Sequence, residues 1–131
     1  MEQQSNVPGQ LIAPDCVAFP SAEEAWIWAV KGMSFRLEGG HMLAGMGEVE
    51  RPCEASDVIN CAARLRRSGR LTHSEISVLF LYGLHNVPPR ALGRRHAKAA
   101  EIWDKALTSL ANVLEQKGII QPRREREVSH G

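Results

Sequence analysis

The sequence predicts a small all-α domain of four to five helices, and three observations lead to that prediction. Apolar residues recur at three- and four-residue steps along several stretches, whereas the strict apolar and polar alternation of a strand is not visible. Capping signatures and glycines separate these stretches. The 131 residues are 44% hydrophobic and 24% charged, which is typical of one soluble domain. We therefore expect one helical domain over residues 19–120, between a flexible leader at 1–18 and a disordered tail at 121–131.

The first helix is predicted over residues 21–38 and carries most of its polar signal at its start. Ser21 and Glu24 form a capping box, in which the serine oxygen accepts from a first-turn amide and the glutamate reaches back to the cap. Gly39 and Gly40 are expected to end the helix. An apolar stripe lies between these limits and consists of Ala22, Trp26, Ala29 or Val30, Met33 and Leu37.

The second helix is predicted to begin at Ser56 or Asp57, because either side chain can cap it, and to end at Gly69. Thr72 and Glu75 then supply another capping box, which opens the third helix. The inward positions of the second helix are Val58, Ile59, Ala62 and Leu65.

The third helix is predicted to bury Ile76, Leu79 and Phe80. Leu71 precedes the capping box, where a leucine can pack back onto the first turns of the helix. Gly83 is predicted to be its left-handed C-terminal cap.

The double proline at 88–89 starts a new helical stretch, because a proline is tolerated in a first turn but not in a helix interior. The pattern leaves open whether this stretch breaks at Gly93. Lys117 and Gly118 are expected to end the last helix. Its apolar stripe is the most regular in the chain and consists of Ile102 or Trp103, Ala106, Leu107, Leu110, Val113 and Leu114.

Charge is unevenly distributed along the chain, although the formal net charge is only +1. Residues 1–63 contain three bases and nine acids, a net charge of −6, whereas residues 64–98 contain eight bases and one acid, a net charge of +7. A basic segment of this kind is typical of phosphate binding. It can equally be a solvated face or pair with the acidic half of the same domain. The eight candidate phosphate contacts are Arg64, Arg66, Arg67, Arg70, Arg90, Arg94, Arg95 and Lys98.

The second and third predicted helices carry a recognisable pattern. Residues 60–67 read NCAARLRR and residues 71–83 read LTHSEISVLFLYG, so that a leucine opens a capped helix with a glutamate, a Val-Leu pair and a closing Tyr-Gly. Over residues 57–114 the chain thereby resembles DNA-binding region four of bacterial sigma factors and the related phage Q-type antiterminators. Ala106, Leu107 and Leu110 are similar to the family's closing Ala-Leu-x-x-Leu.

This resemblance implies a helix-turn-helix-like C-terminal half, over residues 57–118, in which residues 97–107 would enter the major groove. It implies a DNA-binding or transcription-associated regulatory protein of phage or prophage origin. Its partner would be DNA, with RNA polymerase as a further candidate. The alternative left open by the residues is a protein–protein interaction module that binds no nucleic acid.

The three tryptophans differ in their positions on the predicted helices. Trp26 and Trp103 lie on apolar stripes, which favours core packing. Trp28 lies off its stripe and is a candidate partner contact. Ile27 and Val30 beside it would give the first helix a second apolar surface, suited to a homodimer or a polymerase subunit.

No catalytic or cofactor motif is visible in the sequence, so we expect a protein that is not an enzyme and that has no cofactor. No metal site is expected, because none of the three cysteines stands in a CxxC pair. The N-terminus is polar and no apolar run approaches the roughly 18 residues of a membrane span, so a cytoplasmic location is expected. The cysteines are Cys16, Cys53 and Cys61.

Overall fold

A computed structural model describes residues 16–37 and 51–122, and within these ranges the predicted all-α class is confirmed. Four helices are present there, joined after the third by two short 3-10 turns. Most of the expected leader, the helix end at Gly39 and Gly40, and most of the expected tail lie outside the described residues. Residues 16–18 of the leader are described, and the Val17 carbonyl accepts a hydrogen bond from Arg51. The helices are α1 (Ala22–Leu37), α2 (Ala55–Arg67), α3 (His73–Leu84) and α4 (Ala97–Gln116), and the 3-10 turns are Pro89–Leu92 and Arg94–His96.

Helix α1 lies at the centre of the domain and contacts all three other helices. Trp26 is fully buried, and its indole nitrogen donates a hydrogen bond of 2.7 Å to the carbonyl of Leu79 in α3. The ring of Phe80 packs edge-on against Trp26 at 5.0 Å. Burial of a tryptophan needs a partner for its N–H group, and α3 supplies that partner. Trp26 therefore joins α1 to α3 by a polar contact as well as by apolar packing.

The two ends of the described domain meet beside the core. Phe19 and Ile120 form a single parallel bridge, in which the Phe19 amide donates to Ile119 and the Gln121 amide donates to Phe19, both at 2.9 Å. Phe19, Ile119 and Ile120 are all buried. The segments that enter α1 and leave α4 are thus fixed to each other.

Of the two predicted capping boxes, the one at α3 is formed completely and the one at α1 only in its serine half. The Ser21 hydroxyl accepts from the Glu24 amide at 3.3 Å, and at α3 both halves of the Thr72 and Glu75 box are formed, at 3.1 and 2.8 Å. The predicted start of α2 is wrong, because the helix begins at Ala55. Its cap is Glu54, whose amide donates to the carboxylate of Asp57 at 2.7 Å. Asp57 therefore caps from the third position of the helix and not from the position before it.

The helix ends follow one repeated geometry, in which the residue after the cap has a positive φ. Gly69 (φ +85°) ends α2 and Gly118 (φ +77°) ends α4, as predicted. In both cases the two amides beyond the cap bond back to the last turn, which is the Schellman arrangement. At α3 the left-handed residue is Asn86 (φ +62°), so the prediction that Gly83 is the cap is wrong. Asparagine is the residue that most often replaces glycine in this role.

Gly83 lies inside α3 because of a close approach between helices. A Cβ atom at this position would lie 3.0 Å from the Trp26 indole nitrogen and 3.0 Å from a methyl group of Val30. Both of those side chains are buried, so neither can move aside freely. The glycine lets α3 and α1 approach each other at the tryptophan.

The chain between α3 and α4 resolves the question that the sequence left open. Pro89 begins a 3-10 turn, Gly93 breaks it at φ +94°, and a second 3-10 turn leads into α4 at Ala97. The helical stretch therefore breaks at Gly93 and resumes at Ala97. Twelve residues, 85–96, separate α3 from α4, whereas the helices of a helix-turn-helix are joined by three or four residues.

The packing at Gly83 makes a prediction about stability. Gly83→Ala is expected to lower the free energy of unfolding by about 1–3 kcal/mol, because overpacking outweighs the gain of about 1 kcal/mol that alanine usually brings to a helix interior. Urea denaturation followed by circular dichroism measures this difference. Asn86→Gly is the control, since glycine adopts the left-handed geometry without strain and should leave stability nearly unchanged. An equal or higher stability of Gly83→Ala would contradict the close approach.

Candidate nucleic-acid interface

The turn between α2 and α3 places four arginines on one corner of the domain. Leu65 and Leu71 are buried on either side of the turn, and the amides of Arg70 and Leu71 both donate to the Leu65 carbonyl, at 2.8 and 3.1 Å. Buried leucines and paired amides fix the backbone, so the side chains between them point outward. We call this surface the α2–α3 corner and define it by Arg64, Arg66, Arg67 and Arg70, all of which are exposed.

The α2–α3 corner carries unopposed positive charge. Residues 58–74 contain no aspartate or glutamate, and the next acid, Glu75, is buried with its carboxylate bound to the Thr72 amide. Within the described residues, none of the four arginines forms an ion pair. A cluster of four guanidinium groups without a carboxylate among them attracts polyanions. Exposed hydroxyl and imidazole groups at the start of α3 extend this surface and belong to Thr72, His73 and Ser74.

A second basic group lies at the start of α4 and consists of Arg94, Arg95 and Lys98. All three are exposed and, in the part of the chain that the structure describes, have no ion-pair partner. The segment is held by His96, whose Nδ1 is hydrogen bonded to the Tyr82 hydroxyl at 2.7 Å. The exposed face of α4 continues with the acids Glu101 and Asp104 and the base Lys105.

Those two acids lie within the helix that the resemblance assigns to the major groove. Residues 97–107 bury Trp103, Ala106 and Leu107 against the core and expose both carboxylates. Carboxylates on the outer face repel phosphates, so this helix attracts a phosphate backbone less strongly than the α2–α3 corner does.

Arg90 has a different environment from the other seven bases. Its two terminal nitrogens each donate to one carboxylate oxygen of Glu23, both at 2.7 Å, in a bidentate pair. Trp103 also donates its indole N–H to Glu23, at 2.8 Å. Gly93 and the second 3-10 turn separate Arg90 from α4, so Arg90 and Lys98 do not lie on one continuous helix face. Arg90 is occupied in an internal ion pair, and we leave it out of the candidate interface.

The two basic groups lie at opposite ends of α4. Lys117, at the C-terminal end of α4, and Arg64 of α2 both line one surface groove. Lys98 lies in the first turn of α4. At a rise of about 1.5 Å per residue the helix carries these ends roughly 29 Å apart. The eight predicted phosphate contacts therefore form two separate groups and one internal pair. Lys117 itself was missed by sequence analysis, because it looked like a helix-ending cation only.

Trp28 is less available to a partner than the sequence suggests. It is half-buried, and its ring packs against that of Phe19 at 4.9 Å. Val30 is buried and Ile27 packs against the core, so the expected second apolar surface of α1 is not present. Trp26 and Trp103 are both buried, as predicted.

The exposed apolar side chains lie elsewhere. Leu81 and Leu84, three residues apart on α3, are 52% and 59% exposed. Residues at this spacing share one helix face, so the two leucines form a small apolar patch. This patch could not be predicted from the sequence, because both positions fit a buried face of an apolar helix.

Two further features bear on the class of site. No group of three or more histidine, cysteine, aspartate or glutamate side chains that could hold a metal is present among the described residues. None of the helices in the same residues has the length and apolar character of a membrane span.

Comparison with known proteins adds no relative. No protein-family model matches the chain, and neither the curated proteins nor the solved structures compared with it give a significant match. The site is therefore described from its own geometry.

The carboxylate of Glu23 makes the stability of the domain depend on pH. Hydrogen bonds from Arg90, and secondarily from Trp103, hold the pKa of Glu23 below its ordinary value, against the opposing effect of its burial. A lowered pKa in the folded state stabilises the protein at pH values above the unfolded pKa. This stabilisation is lost as the pH falls through the folded pKa.

Glu23→Gln is accordingly expected to lower the free energy of unfolding by about 1–2 kcal/mol at pH 7, since it weakens charge-assisted hydrogen bonds. The difference from the wild type should shrink as the pH is lowered from 6 to 3 in urea denaturation. Glu24→Gln is the matched control, because Glu24 is a first-turn acid of the same helix but is exposed. An equal loss in both variants would assign the effect to the helix dipole and contradict the role of the ion pair.

Proposed function

We propose that this protein binds DNA through the phosphate backbone, with the α2–α3 corner as its principal contact, and that it acts in transcription or its regulation. The observation that carries the proposal is the α2–α3 corner itself, in which four exposed arginines are grouped and none forms an ion pair within the described part of the chain. Guanidinium groups bind phosphates in a bidentate way, and each contact releases counterions from the DNA.

The arrangement of the helices adds support for a variant of the helix-turn-helix. Helices α2 and α3 are joined by five residues, 68–72, with Gly69 in the turn, which is one residue more than the three or four of a helix-turn-helix. The start of α3 exposes Thr72, His73 and Ser74 beside the arginines. If the chain uses the geometry of the family that it resembles, α3 is a better candidate for the groove than residues 97–107, which expose two acids.

A salt titration tests the proposal. The wild-type chain is expected to bind double-stranded DNA at low salt in a mobility-shift assay, with affinity that falls as salt is raised. The triple variant Arg66→Gln, Arg67→Gln, Arg70→Gln should reduce the magnitude of the negative slope of log K against log salt by about 3. Each phosphate contact contributes about 0.9 to that magnitude. Arg64 stays unchanged in this variant, so the groove that it lines is left intact.

The matched control is Arg94→Gln, Arg95→Gln, Lys98→Gln, which removes the same charge from the other end of α4. It should retain most of the affinity and of the salt slope. Equal losses in the two triple variants would show that net charge alone decides binding and would overturn the assignment to the α2–α3 corner. Absence of binding at low salt would overturn the function.

A second candidate function is favoured by the patch of Leu81 and Leu84. Two adjacent leucines that are more than half exposed are typical of a contact with another protein, and the basic groups could then attract an acidic partner. Leu81→Ser with Leu84→Ser separates the two functions. No DNA binding by the wild type, combined with a co-purifying partner that survives nuclease treatment and is lost in this variant, would favour the interaction module.

A further inference from the structure

A groove of about 500 Å³ lies between α2, the C-terminus of α4 and the segment that precedes α2. One wall is a face of α2, a second is the end of α4, and the third is the segment that precedes α2. A volume of this size is within the range of small-molecule sites. The residues that line it are Pro52, Cys53, Asp57, Asn60, Cys61, Arg64, Gln116, Lys117 and Ile119.

The α2 wall follows from the spacing of its residues. Asp57, Asn60, Cys61 and Arg64 stand at steps of three and four, so one face of the helix presents all four to the groove. Along this face Asp57 and Arg64 are separated by about 10 Å, at a rise of about 1.5 Å per residue. The groove therefore has a cationic end at Arg64 and an acidic end at Asp57.

Two positive charges converge at the cationic end. Arg64 and Lys117 both line the groove together with Cys61, and their charges partly offset the rise in the pKa of the Cys61 thiol that its burial causes. Arg64 and Lys117 come from different helices, and neither forms an ion pair within the described chain. The pair can bind a dianion with a guanidinium fork on one side and an ammonium on the other.

The lining of the groove is mixed, and we call its apolar part the floor. Pro52, Ile119 and the two cysteines supply the apolar surface, and Cys61 and Ile119 are buried. Burial raises the pKa of the Cys53 thiol to about 12 and also raises that of Cys61, so both are neutral S–H groups at pH 7. A neutral thiol is a poor nucleophile and packs as a small apolar side chain. The groove is thus suited to reversible binding and not to covalent chemistry.

We propose that this groove binds a nucleoside monophosphate, with its phosphate on Arg64 and Lys117 and its base against the apolar floor. A phosphate monoester carries a charge of about −1.5 to −2 at pH 7, which matches two cations better than a single carboxylate does. The amides of Asn60 and Gln116 can each donate and accept, as a base edge requires. Asp57, at the far end, accepts hydrogen bonds from an amino group of the base or a ribose hydroxyl.

The proposal does not depend on DNA binding. It rests on the convergence of Arg64 with Lys117 and on the mixed lining of the groove, whereas the α2–α3 corner is tested through Arg66, Arg67 and Arg70. Failure of one function leaves the other measurable on the same chain.

Isothermal titration calorimetry on the full chain tests the groove with three probes. Adenosine monophosphate is expected to bind at one saturable site, and adenosine and inorganic phosphate should each bind at least tenfold more weakly, because each lacks half of the contacts. Guanosine, cytidine and uridine monophosphates, titrated in the same way, report the base preference. Binding of inorganic phosphate as tight as that of every nucleotide would overturn the assignment of a nucleotide site.

Four variants connect the binding to the groove. Arg64→Gln and Lys117→Gln should each raise the Kd of the nucleotide roughly tenfold, as expected for loss of one charge-assisted contact. Asn60→Ala should weaken the nucleotide but leave inorganic phosphate unchanged. The matched control Arg66→Gln removes an equal charge from the same helix outside the groove and should have no effect. An equal loss in Arg66→Gln, or no saturable binding by the wild type, would overturn the proposal.

Discussion

The arrangement of the basic segment, residues 64–98, depends on the hydrogen bonds that the carboxylate of Glu23 accepts. It accepts two hydrogen bonds from Arg90 and one from Trp103, so three elements meet at one group: the first turn of α1, the first 3-10 turn and α4. Its side chain is 21% exposed, whereas that of Arg90 is 60% exposed. A partly buried carboxylate with three donors costs less to desolvate than an unpaired one, because its lone pairs remain satisfied. The irregular segment 85–96 is thus tied to the central helix, and His96 ties it to α3 through Tyr82.

This contact also changes the meaning of the charge pattern. The acidic first half and the basic middle do meet, but within the described residues they do so through one ion pair, and seven of the eight bases in residues 64–98 keep their charge exposed. Within the described residues, neutralisation between the two halves is therefore limited to the pair of Glu23 and Arg90.

Local signals predicted the fold well, because each of them acts over one turn of helix. Capping boxes at Ser21 and Thr72, and glycine caps at 69 and 118, need only residues that are close in sequence. The errors arose where tertiary packing decided the outcome. Gly83 has the sequence context of a helix cap, yet the close approach of Trp26 requires a glycine inside the helix. The left-handed residue that ends α3 is Asn86 instead. The Glu23 and Arg90 pair spans 67 residues, and no periodicity can indicate a contact of that separation.

The candidate sites show the same division between local and distant information. Exposure of the arginines around Gly69 follows from the end of an amphipathic helix, and the sequence predicted it. Which bases lie near one another could not be predicted in the same way. Helix α4 is long enough to place Lys98 and Lys117 at opposite ends of the domain and to bring Lys117 to the same groove as Arg64. Arg64 consequently belongs to both the α2–α3 corner and the groove. If both proposals hold, a dianion bound in the groove neutralises one arginine of the corner, and nucleotide and DNA must then weaken each other's binding by the same factor, because coupling between two sites is reciprocal.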